Sequence, residues 1–123
     1  MDGRYINICN HILGSYLHTG TVEGVLKAVE ELHKHYGTDR DVFMIESIAI
    51  QGVIQQAAQF DDQEFLLAIY RTNRWNTLLN PAMVSGDQSR QTMADVLSAI
   101  QKTEINKAIQ DVTHTRRQAT RKI

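Results

Sequence analysis

Between positions 42 and 60 this chain is apolar on almost every side of a helix. Val42, Ile45, Ala49, Val53, Ala57 and Phe60 recur at helical spacing, while Phe43, Met44, Ile48, Ile50 and Ile54 fill much of the remaining circumference. A helix that is hydrophobic all round has to be surrounded by other elements. Residues 40–60 therefore predict a central helix. A chain of 123 residues has only a handful of other helices to wrap it, which predicts a second subunit or a bound partner.

Helical periodicity runs through the rest of the sequence, with no sustained strand-like alternation. Residues 4–17 place Tyr5, Cys9, Ile12, Leu13 and Tyr16 on one stripe, and Thr19-Gly20 ends it. Thr21 can cap a second helix with Val22, Val25, Leu26, Val29, Leu32 and Tyr36 inward. Glu23/Lys27 and Glu30/Lys34 support its outer face, and Gly37 suits its end. Asp39 can cap the central helix, and Asp61 with Glu64 reads as a carboxylate variant of the capping box for a fourth. That helix begins at Phe65, with a candidate break at Thr72-Asn73, and must stop before Pro81. Asn80 can cap one further turn with Pro81 in its first position. Asp87 or Ser89 starts a fifth helix with Met93, Val96, Leu97 and Ile100 on one side. Ile105, Ala108, Ile109 and Val112 follow about 100° round, which predicts a break near Thr103 or a change of packing partner. The expectation is an all-α fold: one domain of five or six helices over residues 1–113, dimeric, with a flexible basic arm at 114–123.

Histidine and cysteine placement argues against a metal centre. Cys9 and His11 lie two residues apart, as do His33 and His35, so each helical pair faces different ways. His11 and His18 share a face but stand about 10 Å apart along the axis, too far for one ion. No CxxC or HExxH spacing, nucleophile elbow or phosphate-binding glycine loop is present. Gly14, Gly24 and Gly52 fall inside helices, where close packing is expected to explain them. Glu46 is expected at the edge of a polar strip with Asp39, Ser47 and Gln51. His33 and His35 should favour the second helix's C-terminus through its dipole. A non-enzymatic protein without cofactor or metal follows. The lone Cys9 suits a reducing compartment, and the apolar stretch at 42–60 is interrupted by Glu46, Gln51, Gln55, Gln56 and Gln59. A cytoplasmic protein with no membrane segment is therefore expected.

Charge is divided unevenly. Residues 1–64 hold four basic against ten acidic side chains, a net of −6, and residues 65–123 hold nine against four, a net of +5. Much of the acidic excess is helix-start chemistry at Asp39, Asp41, Asp61, Asp62 and Glu64. The basic excess is concentrated in two segments. The first contains Tyr70, Arg71, Asn73, Arg74 and Trp75. Arginine grips phosphate, asparagine reads adenine edges and aromatic rings stack on bases; the same residue types also dominate protein interfaces. Trp75 could equally anchor the core. The second segment carries Arg116, Arg117, Arg121 and Lys122, with Thr113, Thr115 and Thr120 as further phosphate donors. Residues 93–112 have the size of a helix-turn-helix broken at 101–103, but lack the turn glycine and place Lys107 at a core position. The expected function is that of a small regulatory or accessory protein that binds nucleic acid through 70–76 and 114–123. The alternative is a helical adaptor or inhibitor that binds only protein, through residues 70–75 or the outer side of the third helix.

Overall fold

Side-chain caps fix where the helices begin. Thr21 accepts from the Gly24 amide, Asp39 from Val42 and Asn80 from Ala82, each satisfying one of the orphan donors of a first turn. The computed structural model describes residues 3–121, with side chains through Val112. It is all-helical: α1 (Gly3–Thr19), α2 (Val22–Tyr36), α3 (Arg40–Gln59), α4 (Gln63–Thr72) and α5 (Asp87–Arg121), with single 3-10 turns at Asn76–Leu78 and Pro81–Met83. Gly37 ends α2 with φ 90°, a left-handed value that a residue with a Cβ resists.

The α4 start differs by one residue from the capping-box expectation. Asp62, not Asp61, is the N-cap, and its carboxylate accepts from Phe65 N at 3.3 Å. Asp61 instead reverses the chain at φ 54°, and its Oδ1 accepts from Thr92 at 3.2 Å. The second of two adjacent aspartates caps because the first is spent on the turn. Gly24 does permit a close approach, since a Cβ there would meet Thr19 Oγ1 at 2.2 Å; Gly14 and Gly52 face open space, so packing does not explain them.

Polar ties set the helix directions. Arg4 lies 3.9 Å from Asp39, and Tyr16 donates to Asp62 at 2.8 Å, so α1 and α3 run parallel. α1 and α2 form an antiparallel hairpin, braced where His11 Nε2 lies 3.1 Å from Glu31 Oε2. Thr92 on Asp61 and the Tyr70 hydroxyl on Glu104 hold α4 and α5 side by side in the same direction. Gln55 clamps the chain ahead of α5, donating to Ser85 O and Ser89 Oγ and accepting from Ser85 N at 2.7 Å.

The core gathers Ile8, Ile12 and Tyr16 with Val25, Val29 and Leu32, and adds Phe65, Leu66, Ile69, Met93, Val96 and Ile100 around the α3 residues Ile50, Val53, Ile54 and Ala57. Burying each such large side chain stabilises by about 1.5–3 kcal/mol. Ile8 is fully buried although the stripe read from sequence omitted it, and Phe60, placed on the core stripe, is 60% exposed beyond the last turn of α3.

The central-helix expectation holds for half of α3. Its C-terminal half is enclosed by this chain alone, with Ile50, Val53, Ile54, Ala57 and Ala58 at 0% exposure. Its N-terminal half is open on one side, where Phe43, Met44 and Ile48 are 45%, 51% and 44% exposed. Among the described residues no helix is long and apolar enough to cross a membrane.

Candidate interaction surface

α5 behaves as two different helices joined end to end. Its first half docks through Met93, Val96 and Ile100, and Asp87 bonds Arg90 at 2.6 Å in the first turn. Every residue from 101 to 112 is exposed. The helix does not break near Thr103; its burial in the core ends at Ile100, while Glu104 still accepts the Tyr70 hydroxyl from α4. Thr103 sits inside the continuous helix, its hydroxyl donating back to Ala99 O at 3.0 Å. An unbroken helix across 101–103 also removes the helix-turn-helix reading, which needs two helices set at a steep angle.

On this uncovered half, Ile105, Ile109 and Val112 are 58%, 58% and 54% exposed. Their i, i+4, i+7 spacing places them on one stripe. A solvated stripe of three large aliphatic side chains on a projecting helix is the kind of surface that marks an interaction site. Periodicity in the sequence revealed the stripe; its exposure became visible only in three dimensions. The helical backbone carries Arg116, Arg117 and Arg121, whereas Lys122 lies outside the described residues.

The 70–75 segment is built into the fold more than it is displayed. Trp75 is buried at 7% exposure among the core residues. Arg74 lies over its ring, guanidinium carbon to centroid 4.6 Å, and reaches Glu46 Oε1 at 3.5 Å. Tyr70 is half-buried and donates its hydroxyl to Glu104, a bond that raises the phenol pKa above its ordinary value. Asn73 adopts φ 59° and ends α4 as a left-handed cap, with its Oδ1 accepting from Asn76 at 2.9 Å. Arg71 is exposed, as are Asn73 and Arg74, and it alone of the five has no side-chain hydrogen bond, ion pair or ring contact among the described residues. Four of the five residues nominated for partner contact therefore have intramolecular work.

Glu46 overturns its sequence assignment. It is buried at 4% exposure rather than edging a polar strip, with His33 Nε2 at 3.1 Å and Arg74 Nη2 at 3.5 Å. Phe43 closes over His33 edge to face at 5.0 Å. His33 thus belongs to a tie between α2, α3 and the 73–75 turn as well as to the α2 terminus. The signal was available: a lone carboxylate in an apolar helix, with histidine and arginine elsewhere to satisfy it. Convergence of a carboxylate and an imidazole is a feature of acid–base sites, yet this pair is enclosed by Arg74 and Phe43. Two open hollows of about 320 and 290 Å³ lie elsewhere, between α1 and α2. They share His11 and Glu31, whose side chains are about half exposed. Ser15 beside them donates to the His11 carbonyl at 2.8 Å, not to a ring nitrogen, so no nucleophile–base pair forms there. No group of three or more ligating side chains suited to a metal occurs among the described residues. Cys9 is half-buried, and desolvation raises its thiol pKa, the opposite of an activated thiolate. No protein-family model, curated protein or solved structure matches this chain.

Proposed function

We propose that this chain is a non-enzymatic, cytoplasmic binding protein whose contact element is the uncovered half of α5 and whose partner is another protein. One observation carries the reading: α5 continues beyond Ile100 as a helix whose side chains at 101–112 are all exposed, with Ile105, Ile109 and Val112 on one stripe. Helices shorter than about 12–15 residues are marginal in water, and tertiary packing of an apolar stripe supplies most helical stability in proteins. A partner helix or groove supplies that packing here. The employment of Tyr70, Asn73, Arg74 and Trp75 within the fold supports a protein partner over a nucleic-acid face at that segment.

A nucleic-acid partner retains one supporting observation. Arg116, Arg117 and Arg121 lie on the continuous helix of α5, on the side of the sequence remote from the acidic excess of residues 1–64. Phosphate contacts there would give strongly salt-dependent binding.

Affinity capture from native lysate with nuclease treatment, using the wild-type chain and an I105D/I109D variant, separates these readings. The expected result is a protein retained after nuclease by wild type and lost by the variant. Capture abolished by nuclease would overturn the protein reading, especially alongside salt-sensitive fluorescence polarisation of mixed-sequence DNA or RNA that disappears in R116Q/R117Q/R121Q/K122Q.

A further inference from the structure

We infer that the larger hollow between α1 and α2 binds a small zwitterion of the free α-amino acid class, with its carboxylate on Lys27 and its ammonium on Glu31. The site is separate from the contact element on α5, because every residue that lines it belongs to α1 or α2. Small residues make the space. A Cβ built on Gly14 meets nothing within 4 Å, and Ala28 lines the hollow from α2. The volume of about 320 Å³ stands at the lower end of the range for ligand pockets, which suits a small molecule. Polar groups stand idle there. Lys27, His18 and Asn10 line the hollow, and none has a side-chain hydrogen bond, ion pair or ring contact among the described residues.

Charge selects a dipolar ligand. Lys27 and Glu31 stand one turn apart on α2, with about 5–6 Å between their Cβ atoms, and lysine before glutamate is the weaker order for an i,i+4 pair. They do not pair with each other. His11 Nε2 instead holds Glu31 Oε2 from across the hairpin at 3.1 Å, and Glu31 Oε1 has no partner among the described residues. The hollow thus offers one uncommitted cation and one uncommitted carboxylate oxygen as neighbours. A plain anion gains Lys27 but meets the charge of Glu31, and a plain cation meets the reverse. A molecule whose two charges sit one carbon apart satisfies both with charge-assisted hydrogen bonds. Asn10 and His18 are available to the second carboxylate oxygen, and the space over Gly14 and Ala28 takes a small side chain. The smaller hollow shares His11 and Glu31 but has no lysine or arginine in its lining, so it lacks the cationic half of the site.

Heteronuclear amide NMR of the full-length chain, titrated with L-alanine, L-serine and L-leucine, tests the inference. Propionate and ethylamine serve as probes that keep one charge each. At least one amino acid should give saturable shifts confined to residues 10–31, and the single-charge probes should bind about fivefold more weakly or less. Lys27→Gln and Glu31→Gln should each weaken amino-acid binding by about fivefold or more, the scale of one exposed charge pair or above. Gly14→Leu should abolish it by filling the hollow. No saturable shift at the hollow from any of the three amino acids overturns the inference. Propionate binding as tightly as the amino acids makes the hollow an anion site and also overturns it, as does equal binding of ethylamine. Unchanged binding in Gly14→Leu puts the ligand elsewhere. Should Gly14→Leu disturb the fold, the two charge variants still decide, because both positions are exposed and undiminished binding in both contradicts the site.

Discussion

Glu46 Oε2 lies 3.1 Å from His33 Nε2, joining the middle of α3 to the last turn of α2 beneath the open face of α3. Glu46 is buried, its second oxygen faces Arg74, and Phe43 covers the imidazole. A carboxylate in that position either satisfies its neighbours or strands them. Glu46→Ala should therefore destabilise by about 1–3 kcal/mol, the cost of leaving buried polar groups without a partner, moderated because Arg74 can turn to water. Glu31→Ala removes a pair in which both members are about half exposed, and should cost at most about 1 kcal/mol. Urea midpoints at constant m-value measure both, and equal losses would contradict the difference in burial.

Asp62 serves two masters, capping α4 at Phe65 N and accepting the Tyr16 hydroxyl at 2.8 Å. Burial, then that hydrogen bond, then the Asp62 charge push the Tyr16 phenol well above its ordinary value near 10. The folded protein consequently holds this proton at pH values where the unfolded chain has released it. The stabilisation is complete below about pH 10 and falls as pH rises above it. Chemical melts between pH 8 and 11 should show this decline in wild type and a flatter profile in Tyr16→Phe, which also loses about 0.5–1.5 kcal/mol at neutral pH. Equal alkaline slopes would contradict it.

Asn73 stops α4 by entering the left-handed region at φ 59°. Asn73→Gly should be neutral or slightly stabilising, whereas Asn73→Val should cost about 1–2 kcal/mol because a β-branched side chain resists that conformation. Thermal unfolding of the two variants checks the order, and a reversed order would assign Asn73 a role other than the cap.

Trp75 and Arg71 stand four residues apart and should behave in opposite ways. Trp75→Ala opens a hole among core residues and should lose about 3–5 kcal/mol. Arg71→Ala, at an exposed position, should stay within about 0.5 kcal/mol. If the Arg71 loss equals the Trp75 loss, the segment is not organised as described.

The helices and most caps were legible because each rests on local chemistry: Thr21, Asp39, Gly37 and Asn80 act within a few residues of themselves. Local reasoning erred by one residue at Asp61 and Asp62, where a long-range demand from Thr92 and Tyr16 decides between adjacent aspartates. It misjudged Glu46 for the same reason, since its partners are 13 and 28 residues away. The apolar circumference of α3 includes the side chains Phe43, Met44 and Ile48 that the fold leaves exposed. Only the fold reveals that Gln55 pins the approach to α5 against α3, so that the chain encloses Ile50 and Ile54 but leaves Phe43, Met44 and Ile48. Likewise the nominated residues at 70–75 have the composition of a contact surface, but the turn after α4 folds Trp75 inward and draws Arg74 onto Glu46.

Residue-resolved amide hydrogen exchange of the dilute chain, alone and saturated with its protein partner, a second copy at raised concentration included, tests most directly whether the far half of α5 is a contact surface. Alone, residues 101–112 should exchange far faster than the enclosed amides around Ile50 and Val53, and they should slow markedly when the partner is bound. Protection at 101–112 equal to that of α3 in the dilute chain, or protection on binding that appears elsewhere and spares 101–112, would contradict the assignment.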